Sequence, residues 1–354
     1  SLAEHRSTEN FGMMSIDLLE ILVKKTFQTA EHFCSFAFQG GEPTLAGLEF
    51  YRQLMRLEQK YNSKNIQVFN SIQTNGLTID EAWAEFLREN DFLVGLSLDG
   101  PARIHDRYRK DPAGKGSFNQ VMQTVEIFRR YRVNFNILIV VNNEVARHAK
   151  EIYQFFQEQN FGYLQFIPCL DPFDEVHGKH DYSLKPSRYG YFLMDLFDLW
   201  YRDLKKGKIV SVRFFDNWLQ MLLGYPPESC GMAGQCAGYF VIEANGNVYP
   251  CDFYVTDQWL IGNIGEHDFN YLKNTSQARQ FLEISRQIEP KCRSCNWYSL
   301  CRGGCRRNRE PLINGSLALN YYCEAYTDFF EYTWEKFHEL AKLMAVKYRL
   351  PKRC

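Results

Sequence analysis

The sequence lacks an excess of charge of either sign. Its 41 lysine and arginine residues nearly balance its 42 acidic residues, which gives a formal net charge of -1. Binding to nucleic acid or to an anionic membrane surface depends largely on positive charge. The balance therefore gives no reason to expect either partner.

Long apolar runs are missing as well. Stretches such as 135–141 are far too short to span a bilayer, and no basic segment followed by an apolar one opens the chain. We find no internal repeat and no low-complexity segment. We therefore expect a soluble, cytoplasmic protein with no membrane partner. Its 354 residues, 45% of them hydrophobic, suffice for one large domain and a smaller one.

Cysteine, by contrast, is abundant, with 11 residues. In a reducing compartment this number favours metal binding over a disulfide scaffold, although secretion would revive the disulfide interpretation. Five cysteines between Cys292 and Cys323 follow the spacing Cys-x2-Cys-x5-Cys-x3-Cys-x17-Cys. Because five is odd, at least one sulfur needs a partner elsewhere, and Cys230, Cys236 and Cys251 are upstream candidates. Together these thiolates could hold two four-cysteine clusters.

Tetrahedral sulfur sites bind either zinc or iron–sulfur clusters. A zinc ribbon usually contains two Cys-x2-Cys knuckles, and in this segment only Cys292 and Cys295 have that spacing. The longer intervals, one of which contains Gly303 and Gly304, suit a chain that wraps around a bulkier cubane, because glycine backbone can approach the sulfides closely. The spacing favours iron–sulfur clusters, and zinc stays open as the alternative.

Residues 30–215 alternate short apolar runs, rich in β-forming residues, with amphipathic stretches. Strands that are apolar on both faces and alternate with helices predict a parallel sheet covered by helices, either barrel-like or doubly wound. The predicted strands are 33–39, 66–73, 92–98, 135–141 and 163–168, with a possible sixth at 209–215. The predicted helices are 14–29, 48–61, 80–90, 118–131, 146–160 and 186–205.

Small and polar residues follow each of the first five predicted strands. Any one of these loops could simply make a βα turn. Ligands gather at the carboxyl ends of parallel strands, however, so five such loops on one rim predict a shared pocket. The loops are 39–43, 74–76, 97–101, 142–143 and 169–172.

The character of the sequence changes at Tyr225, where helical periodicity disappears and cysteine and glycine become frequent. Two short strands, 239–243 and 247–249, flank Asn245 and Gly246, a pair suited to a tight hairpin turn. The hairpin would place Cys251 at the end of its second strand. An amphipathic stretch, 325–347, predicts a closing helix.

These motifs together resemble one family over nearly the whole length of the chain. The spacing from Cys236 to Cys323 looks like the SPASM domain of radical S-adenosylmethionine (SAM) enzymes, and the remaining motifs resemble the anaerobic sulfatase-maturating enzymes among them. The motifs are FAFQGGEPTLAG, SIQTNG, GLSLDGP, LQFIPCLDP, VYPCDFY, CRGGCRR and LNYYC.

The resemblance implies an α/β fold with three parts. Residues 1–224 would form a partial (β/α)6 TIM-like barrel that lacks its first strand and cluster loop. Residues 225–324 would form the SPASM domain, and 325–354 the closing helix.

The resemblance also implies a site for SAM in the barrel. The loop that begins at Gln39 would bind the methionyl amine through its backbone, Ser97 would use its hydroxyl, Arg109 would face the carboxylate, and Leu170 would pack on the adenosine. The implied cofactor-binding residues are Gln39, Gly40, Gly41, Glu42, Ser97, Arg109 and Leu170.

Two auxiliary [4Fe-4S] clusters follow from the same resemblance. One would use Cys230, Cys236, Cys251 and Cys305, and the other Cys292, Cys295, Cys301 and Cys323. This division interleaves the chain, so each cluster would crosslink distant segments and replace part of a hydrophobic core.

The sequence departs from the family in one respect. Radical SAM enzymes hold a catalytic cluster with Cys-x3-Cys-x2-Cys after the first strand, and the given sequence has no such triplet. In the family that loop ends just upstream of the segment corresponding to Ser1, so we expect that an N-terminal piece was lost. The full-length protein, with three [4Fe-4S] clusters, would then cleave SAM, and the chain as given would not.

The implied reaction is the oxidation of a Cys or Ser side chain, in a sulfatase Cys/Ser-x-Pro-x-Arg motif, to Cα-formylglycine. After hydrogen abstraction from the substrate Cβ, a proton and an electron must leave. Asp252 would take the proton as general base, and the neighbouring auxiliary cluster the electron. Flavodoxin or ferredoxin would supply reducing electrons. The alternatives are another peptide-modifying SPASM enzyme, for instance a thioether-forming one, and a non-catalytic zinc protein that binds peptides.

Overall fold

The computed structural model describes residues 12–173, 175–313 and 315–347. Its strands are β1 (Phe33–Phe38), β2 (Gln67–Thr74), β3 (Leu93–Ser97), β4 (Phe135–Val141), β5 (Tyr163–Pro168), β6 (Ser211–Val212), β7 (Val241–Ile242), β8 (Asn247–Tyr249) and β9 (Gly262–Asn263). The chain divides into two compact units. Unit 1 comprises the described residues up to Ser97, Asn119–Phe135 and Gly238–Glu283, and unit 2 comprises Leu98–Phe118, Asn136–Ala237 and the described residues from Ile284 onward.

The α-helices include several of a single turn in the cysteine-rich region. They are α1 (Ile16–Thr29), α2 (Leu48–Tyr61), α3 (Glu81–Glu89), α4 (Ala102–Tyr108), α5 (Phe118–Tyr131), α6 (Ala149–Glu158), α7 (Pro186–Lys205), α8 (Arg213–Leu222), α9 (Cys230–Ala233), α10 (Phe269–Asn274), α11 (Ser276–Ser285), α12 (Pro290–Arg293), α13 (Tyr298–Cys301) and α14 (Cys323–Lys347). Among the described residues, none of these helices has both the length and the apolar content needed to cross a membrane.

Strands β1 to β6 form one sheet whose order follows the order of the chain. Within unit 1, β1 pairs with β2 and β2 with β3; within unit 2, β4 pairs with β5 and β5 with β6, and all four pairs are parallel. A doubly wound sheet would reverse its order partway. The constant order is that of a barrel wall, so the predicted α/β partial barrel is confirmed. The predicted limits of the three parts stay predictions.

The sequence-based prediction was wrong at two places. The apolar run 209–215 is not one strand: β6 covers only Ser211–Val212, and α8 begins at Arg213. Helical structure also continues after Tyr225, since α10 and α11 lie in the stretch predicted to lack helical periodicity. An N-cap marks α10, because the Asp268 side chain accepts a hydrogen bond from the backbone N–H of Tyr271.

The hairpin predicted around Asn245 and Gly246 is confirmed. β7 and β8 pair antiparallel, and Gly246 turns the chain with a φ of 86°. A third strand that the sequence did not reveal, β9, pairs with the outer edge of β8. Cys251 follows β8 by two residues and is buried.

The closing helix is confirmed as α14, which begins at Cys323 itself. It packs through aromatic rings on α7 and α8. The ring centroids of Phe337 and Phe197 are 4.7 Å apart, and Phe329 stacks on Phe215 with a centroid distance of 5.7 Å. Lys336 also donates to Asp198 at 2.6 Å. The helix therefore anchors the last cysteine of the sequence motif to unit 2.

The core of unit 1 contains a buried carboxylate, Glu58 on α2, which is 6% exposed. Asn70 on β2 donates to both of its oxygens, at 3.0 and 3.2 Å. Burial, partly countered by these hydrogen bonds, raises the pKa of Glu58 from 4.5 to about 7. The folded state therefore holds this proton more tightly than the unfolded state. Stability should fall as the pH rises from about 4.5 to about 7 and stay lower above that range.

We expect Glu58→Gln to remove this pH dependence, because the amide keeps the contact with Asn70 but cannot ionise. At pH 8 the variant should be more stable by about 3 kcal/mol, and at pH 5 by less than about 1 kcal/mol. Urea denaturation at both pH values measures the difference. Glu49→Gln on the same helix, where the side chain is 60% exposed, is the matched control and should leave the pH dependence unchanged. A parallel pH dependence in Glu58→Gln would contradict the prediction.

Candidate active site

The loop after β1 presents Gln39, Gly40 and Gly41, all exposed. The φ angles of the two glycines, 85° and 56°, lie in the left-handed region that glycine adopts without strain. The loop leads into a 3-10 helix at Pro43–Ala46. Its backbone is thus open to a ligand, and the predicted contact with the methionyl amine stays a prediction.

Glu42 fastens this loop to the loop after β2. Its carboxylate accepts hydrogen bonds from the Thr44 hydroxyl at 2.6 Å, the Thr74 hydroxyl at 2.8 Å and the Asn75 backbone N–H at 2.7 Å. These bonds join two of the five loops that were predicted to share one rim. Glu42 therefore positions the glycine pair, whatever further contact it makes.

Ser97, the last residue of β3, is half-buried in unit 1. Arg109 lies in unit 2, where Asp99 holds its guanidinium in a bidentate pair. The Nε–Oδ2 distance is 2.5 Å and the Nη2–Oδ1 distance 3.2 Å. Asp99 is itself fixed, because Oδ1 accepts from the backbone N–H of Val140 at 2.8 Å. The arginine is thus oriented before any ligand arrives.

A buried histidine supports this pair. His105 is fully buried, and its Nδ1 accepts from the Asp99 backbone N–H at 3.2 Å. Nε2 must then carry the proton, and it donates to the Ser117 hydroxyl at 3.0 Å; that hydroxyl donates to the Arg109 carbonyl at 3.1 Å. Burial, partly countered by Asp99, lowers the pKa of His105 to about 4. His105 is therefore neutral at physiological pH and acts as a fixed structural link.

Leu170 follows β5 and is half-buried. The residues beside it are tied to the segment that contains the cysteines. The Cys169 carbonyl accepts from the Tyr322 hydroxyl at 3.2 Å, and the Asp171 carbonyl accepts from Arg307. Arg307 also lies 3.8 Å over the ring of Phe173. The loop that carries Leu170 is thereby held against the neighbours of Cys305 and Cys323.

Four thiols of unit 2, those of Cys292, Cys295, Cys301 and Cys323, lie within electrostatic range of one another. Burial raises the pKa of Cys301 to about 12; a backbone hydrogen bond at Gly303 partly counters this rise, and the charges of the other three sulfurs add to it. Metal binding must therefore drive deprotonation of this thiol. The described residues contain no His, Cys, Asp or Glu triplet arranged around a single ion. A cubane has a wider ligand set, since each of its four sulfur ligands binds a different iron.

The backbone between these cysteines is bent by residues in the left-handed region. Gly303 and Gly304 have φ angles of 82° and 71°. The side-chain amide of Asn320 donates to the Gly303 carbonyl at 2.9 Å. The backbone carbonyl of Asn320 accepts from the Cys323 N–H at 2.9 Å. A Cβ on Gly304 would lie 2.3 Å from the Asn320 side chain. Asn320, which the sequence gave no signal to single out, thus links the glycine turn to the last cysteine.

The other predicted ligand set is distributed over both units. In unit 2, a Cβ on Gly231 would lie 3.6 Å from the Cys305 Cβ, so the turn at Cys230 and Cys305 approach closely. Burial raises the pKa of Cys236, with a contribution from Cys230, to about 11. Cys251 lies in unit 1. The division into two ligand sets stays a prediction, but the described cysteines form no disulfide.

Asp252 follows Cys251 directly and is held by a tyrosine that the sequence did not point to. The Tyr239 hydroxyl donates to Asp252 Oδ1 at 2.7 Å and lies 3.4 Å from Cys251 Sγ. The Cys251 sulfur is also 3.4 Å from Asp252 Oδ1. A carboxylate, a predicted cluster ligand and a hydroxyl thus meet at one point of unit 1.

Comparison with known proteins agrees with this chemistry. The family model for the radical SAM superfamily matches residues 6–156, and the SPASM model, an iron–sulfur cluster-binding domain, matches 230–296. The chain is 51% identical to a cysteine-type anaerobic sulfatase-maturating enzyme of Clostridium novyi, over 98% of this chain and 92% of the relative. It is 34% identical to a serine-type anaerobic sulfatase-maturating enzyme of Bacteroides thetaiotaomicron, over 90% and 81%.

A solved structure also resembles the chain over nearly its whole length. It is that of native anSMEcpe with bound AdoMet and the Kp18Cys peptide, with a TM-score of 0.93 and 49% identity. The match covers 95% of this chain and 93% of that one. The similarity therefore extends over the barrel, the cysteine-rich segment and the closing helix.

Proposed function

Because the chain belongs to the anaerobic sulfatase-maturating enzymes of the radical SAM superfamily, we propose that it oxidises a cysteine side chain of a sulfatase to Cα-formylglycine. The observation that carries the proposal is identity along the chain: 51% to a cysteine-type relative, against 34% to a serine-type one. Sulfatase sequences with Cys-x-Pro-x-Arg are the proposed substrates. The peptide in the similar structure supports a polypeptide substrate.

The protein uses SAM and [4Fe-4S] clusters, and the residues present fit both. SAM and its cluster supply one-electron hydrogen abstraction when bound. The exposed backbone at Gly40 and Gly41 would receive the methionyl amine. The Asp99–Arg109 pair would present a guanidinium to the carboxylate, already oriented, and Leu170 would offer an apolar contact to the adenosine. Eight thiols, some of them beside glycine turns, fit two auxiliary clusters, and this supports the iron–sulfur interpretation over the zinc alternative.

Asp252 is the proposed general base. Its carboxylate is within one residue of a proposed cluster ligand, Cys251, and Tyr239 fixes one of its oxygens at 2.7 Å. The other oxygen would accept the proton that the substrate thiol releases as the side chain becomes a thioaldehyde, which water would then hydrolyse to the aldehyde with release of hydrogen sulfide. Proximity of the proton acceptor to a cluster suits a step that loses a proton and an electron together.

Peptide oxidation tests the function. We expect the anaerobically reconstituted protein, carrying the cluster triplet that the family requires, to convert a Cys-x-Pro-x-Arg peptide to an aldehyde that a hydrazide captures. The Ser peptide should react more slowly and the Ala peptide not at all. A peptide that loses two hydrogens without forming an aldehyde would favour the thioether-forming alternative. The absence of any SAM-dependent product would refute both.

We further propose that the electron donor is an acidic carrier, flavodoxin or ferredoxin, that docks near Cys292. Lys291 and Arg293 flank this residue and are exposed, and Glu289 is the nearest acidic neighbour along the chain. Positive charge beside a cluster would attract an acidic partner and orient it.

The protein would work in the cytoplasm, where thiolates stay reduced.

Charge reversal tests this docking surface. We expect Lys291→Glu with Arg293→Glu to slow reduction by flavodoxin about tenfold at low salt, and much less at high salt, because screening removes the attraction. Reduction by dithionite and the iron content should stay unchanged. Lys206→Glu with Lys208→Glu, an exposed pair of the same spacing, is the control. Equal rates in both double variants would contradict the proposed surface.

A further inference from the structure

The contact between Cys251 and Asp252 changes its nature when Cys251 binds iron. As a thiol, Cys251 donates its proton toward Asp252 Oδ1 at 3.4 Å. As a cluster ligand, its sulfur is a thiolate that can accept but not donate. The two groups are then both anionic at short range, and they repel unless a donor lies between them.

Tyr239 supplies that donor. Its hydroxyl is 2.7 Å from Asp252 Oδ1 and 3.4 Å from Cys251 Sγ, so one proton faces both acceptors. The tyrosine stands two residues before β7, and both acceptors follow β8, so the antiparallel β7–β8 pairing brings them together. The residue as a whole is 41% exposed, and its hydroxyl end is the part that contacts both acceptors.

We propose that Tyr239 is a positioning residue that holds the Asp252 carboxylate beside the cluster and also sets the potential of the cluster that Cys251 binds. A hydrogen bond to a ligand sulfur withdraws negative charge from the cluster and favours its reduced form. The same hydroxyl keeps the carboxylate in one orientation for the substrate proton. The inference rests on the proposed function for the role of Asp252 and on the assignment of Cys251 as a ligand.

Tyr239→Phe removes the hydroxyl and keeps the ring. We expect the same iron and sulfide content, a more negative midpoint potential for one auxiliary cluster in an EPR-monitored titration, and a kcat for the Cys peptide lower by roughly tenfold with KM unchanged. Tyr271→Phe, another exposed tyrosine of unit 1, whose ring stacks on His267 at 4.0 Å, is the control and should change neither quantity.

A second replacement tests the sign. Fluorotyrosine at position 239 donates a stronger hydrogen bond and should shift the same potential upward. The proposal is overturned if neither replacement moves a cluster potential, whatever the rate does, or if Tyr239→Phe turns over at the wild-type kcat. If the potentials shift as expected but the wild-type protein oxidises no sulfatase peptide, the proposed function fails and the effect on the cluster stands.

Discussion

Asp252→Asn should lower kcat for the Cys-x-Pro-x-Arg peptide by at least about 10² while all clusters stay bound. The amide keeps the size of the carboxylate, and its oxygen can still accept the hydrogen bond from Tyr239. In the unsubstituted protein, the Tyr239 hydroxyl lies 2.7 Å from Asp252 Oδ1. It cannot accept a proton, and a positioned general base is typically worth about 10² to 10⁴ in rate. KM should change little, since the variant loses an interaction that matters in the transition state. Steady-state kinetics on the reconstituted protein measures both constants.

Asp257→Asn is the matched control. Asp257 is an exposed aspartate five residues further along in the same unit, at the start of the 3-10 helix Asp257–Trp259. Its replacement should leave kcat and KM at wild-type values. Iron and sulfide analysis of both variants separates a chemical effect from cluster loss. Wild-type turnover by Asp252→Asn with intact clusters would remove Asp252 from the mechanism.

The barrel could be predicted well because its signals are local. The bounds of α2, α5 and α7 agree with the sequence patterns 48–61, 118–131 and 186–205. Amphipathic periodicity and start signals, such as Pro186 in the first turn of α7, determine these helices within a few residues. The glycine-rich loops at the strand ends were predictable for the same reason.

The error at 209–215 has a physical cause. Apart from Ser211 and Arg213, this run is apolar or aromatic, which is typical of a buried strand and of a buried helix alike. Only packing decides between them. Phe215 stacks on Phe329 of α14, and Trp218 lies 5.0 Å from Phe330, so the aromatic face belongs to a helix that begins at Arg213. Its partner is more than 100 residues away in the chain and left no local signal.

The networks that orient the predicted site residues were equally out of reach. Arg109 is bound by Asp99 and supported by His105 and Ser117, in a segment that comprises α4 and the loops on either side of it. Asp252 is held by Tyr239 across a hairpin. Cysteine spacing predicts a cluster directly, because the sulfur ligands must converge on the irons of one cluster. Hydrogen-bond partners 10 to 13 residues apart in loops follow no comparable spacing rule.

Cys323→Ala should remove one auxiliary cluster and with it half of the auxiliary iron. Cys323 is the first residue of α14, whereas the other three proposed ligands lie between Cys292 and Cys301. The cluster would thus tie the cysteine-rich turns to a helix that aromatic contacts anchor to α7 and α8. Losing that link should cost roughly 4 kcal/mol of apparent stability. This is the free energy that a ligand contributes when its concentration is about a thousand times its Kd. Iron and sulfide analysis and chemical denaturation under anaerobic conditions measure the two effects.

The loss should also be local, because the anchoring of α14 does not depend on iron. Without the cluster, the 287–322 segment keeps hydrogen bonds such as Asn320 to Gly303, at 2.9 Å, but loses its covalent links through iron. Limited proteolysis should therefore cut within this segment and spare the barrel strands. Cys34→Ala, which removes a buried thiol from β1 that is no proposed ligand, is the matched control: it should cost stability but no iron and open no new cleavage site. An unchanged iron content together with an unchanged stability in Cys323→Ala would refute the ligand set, since a cubane bound by four thiolates cannot lose one and remain as stable.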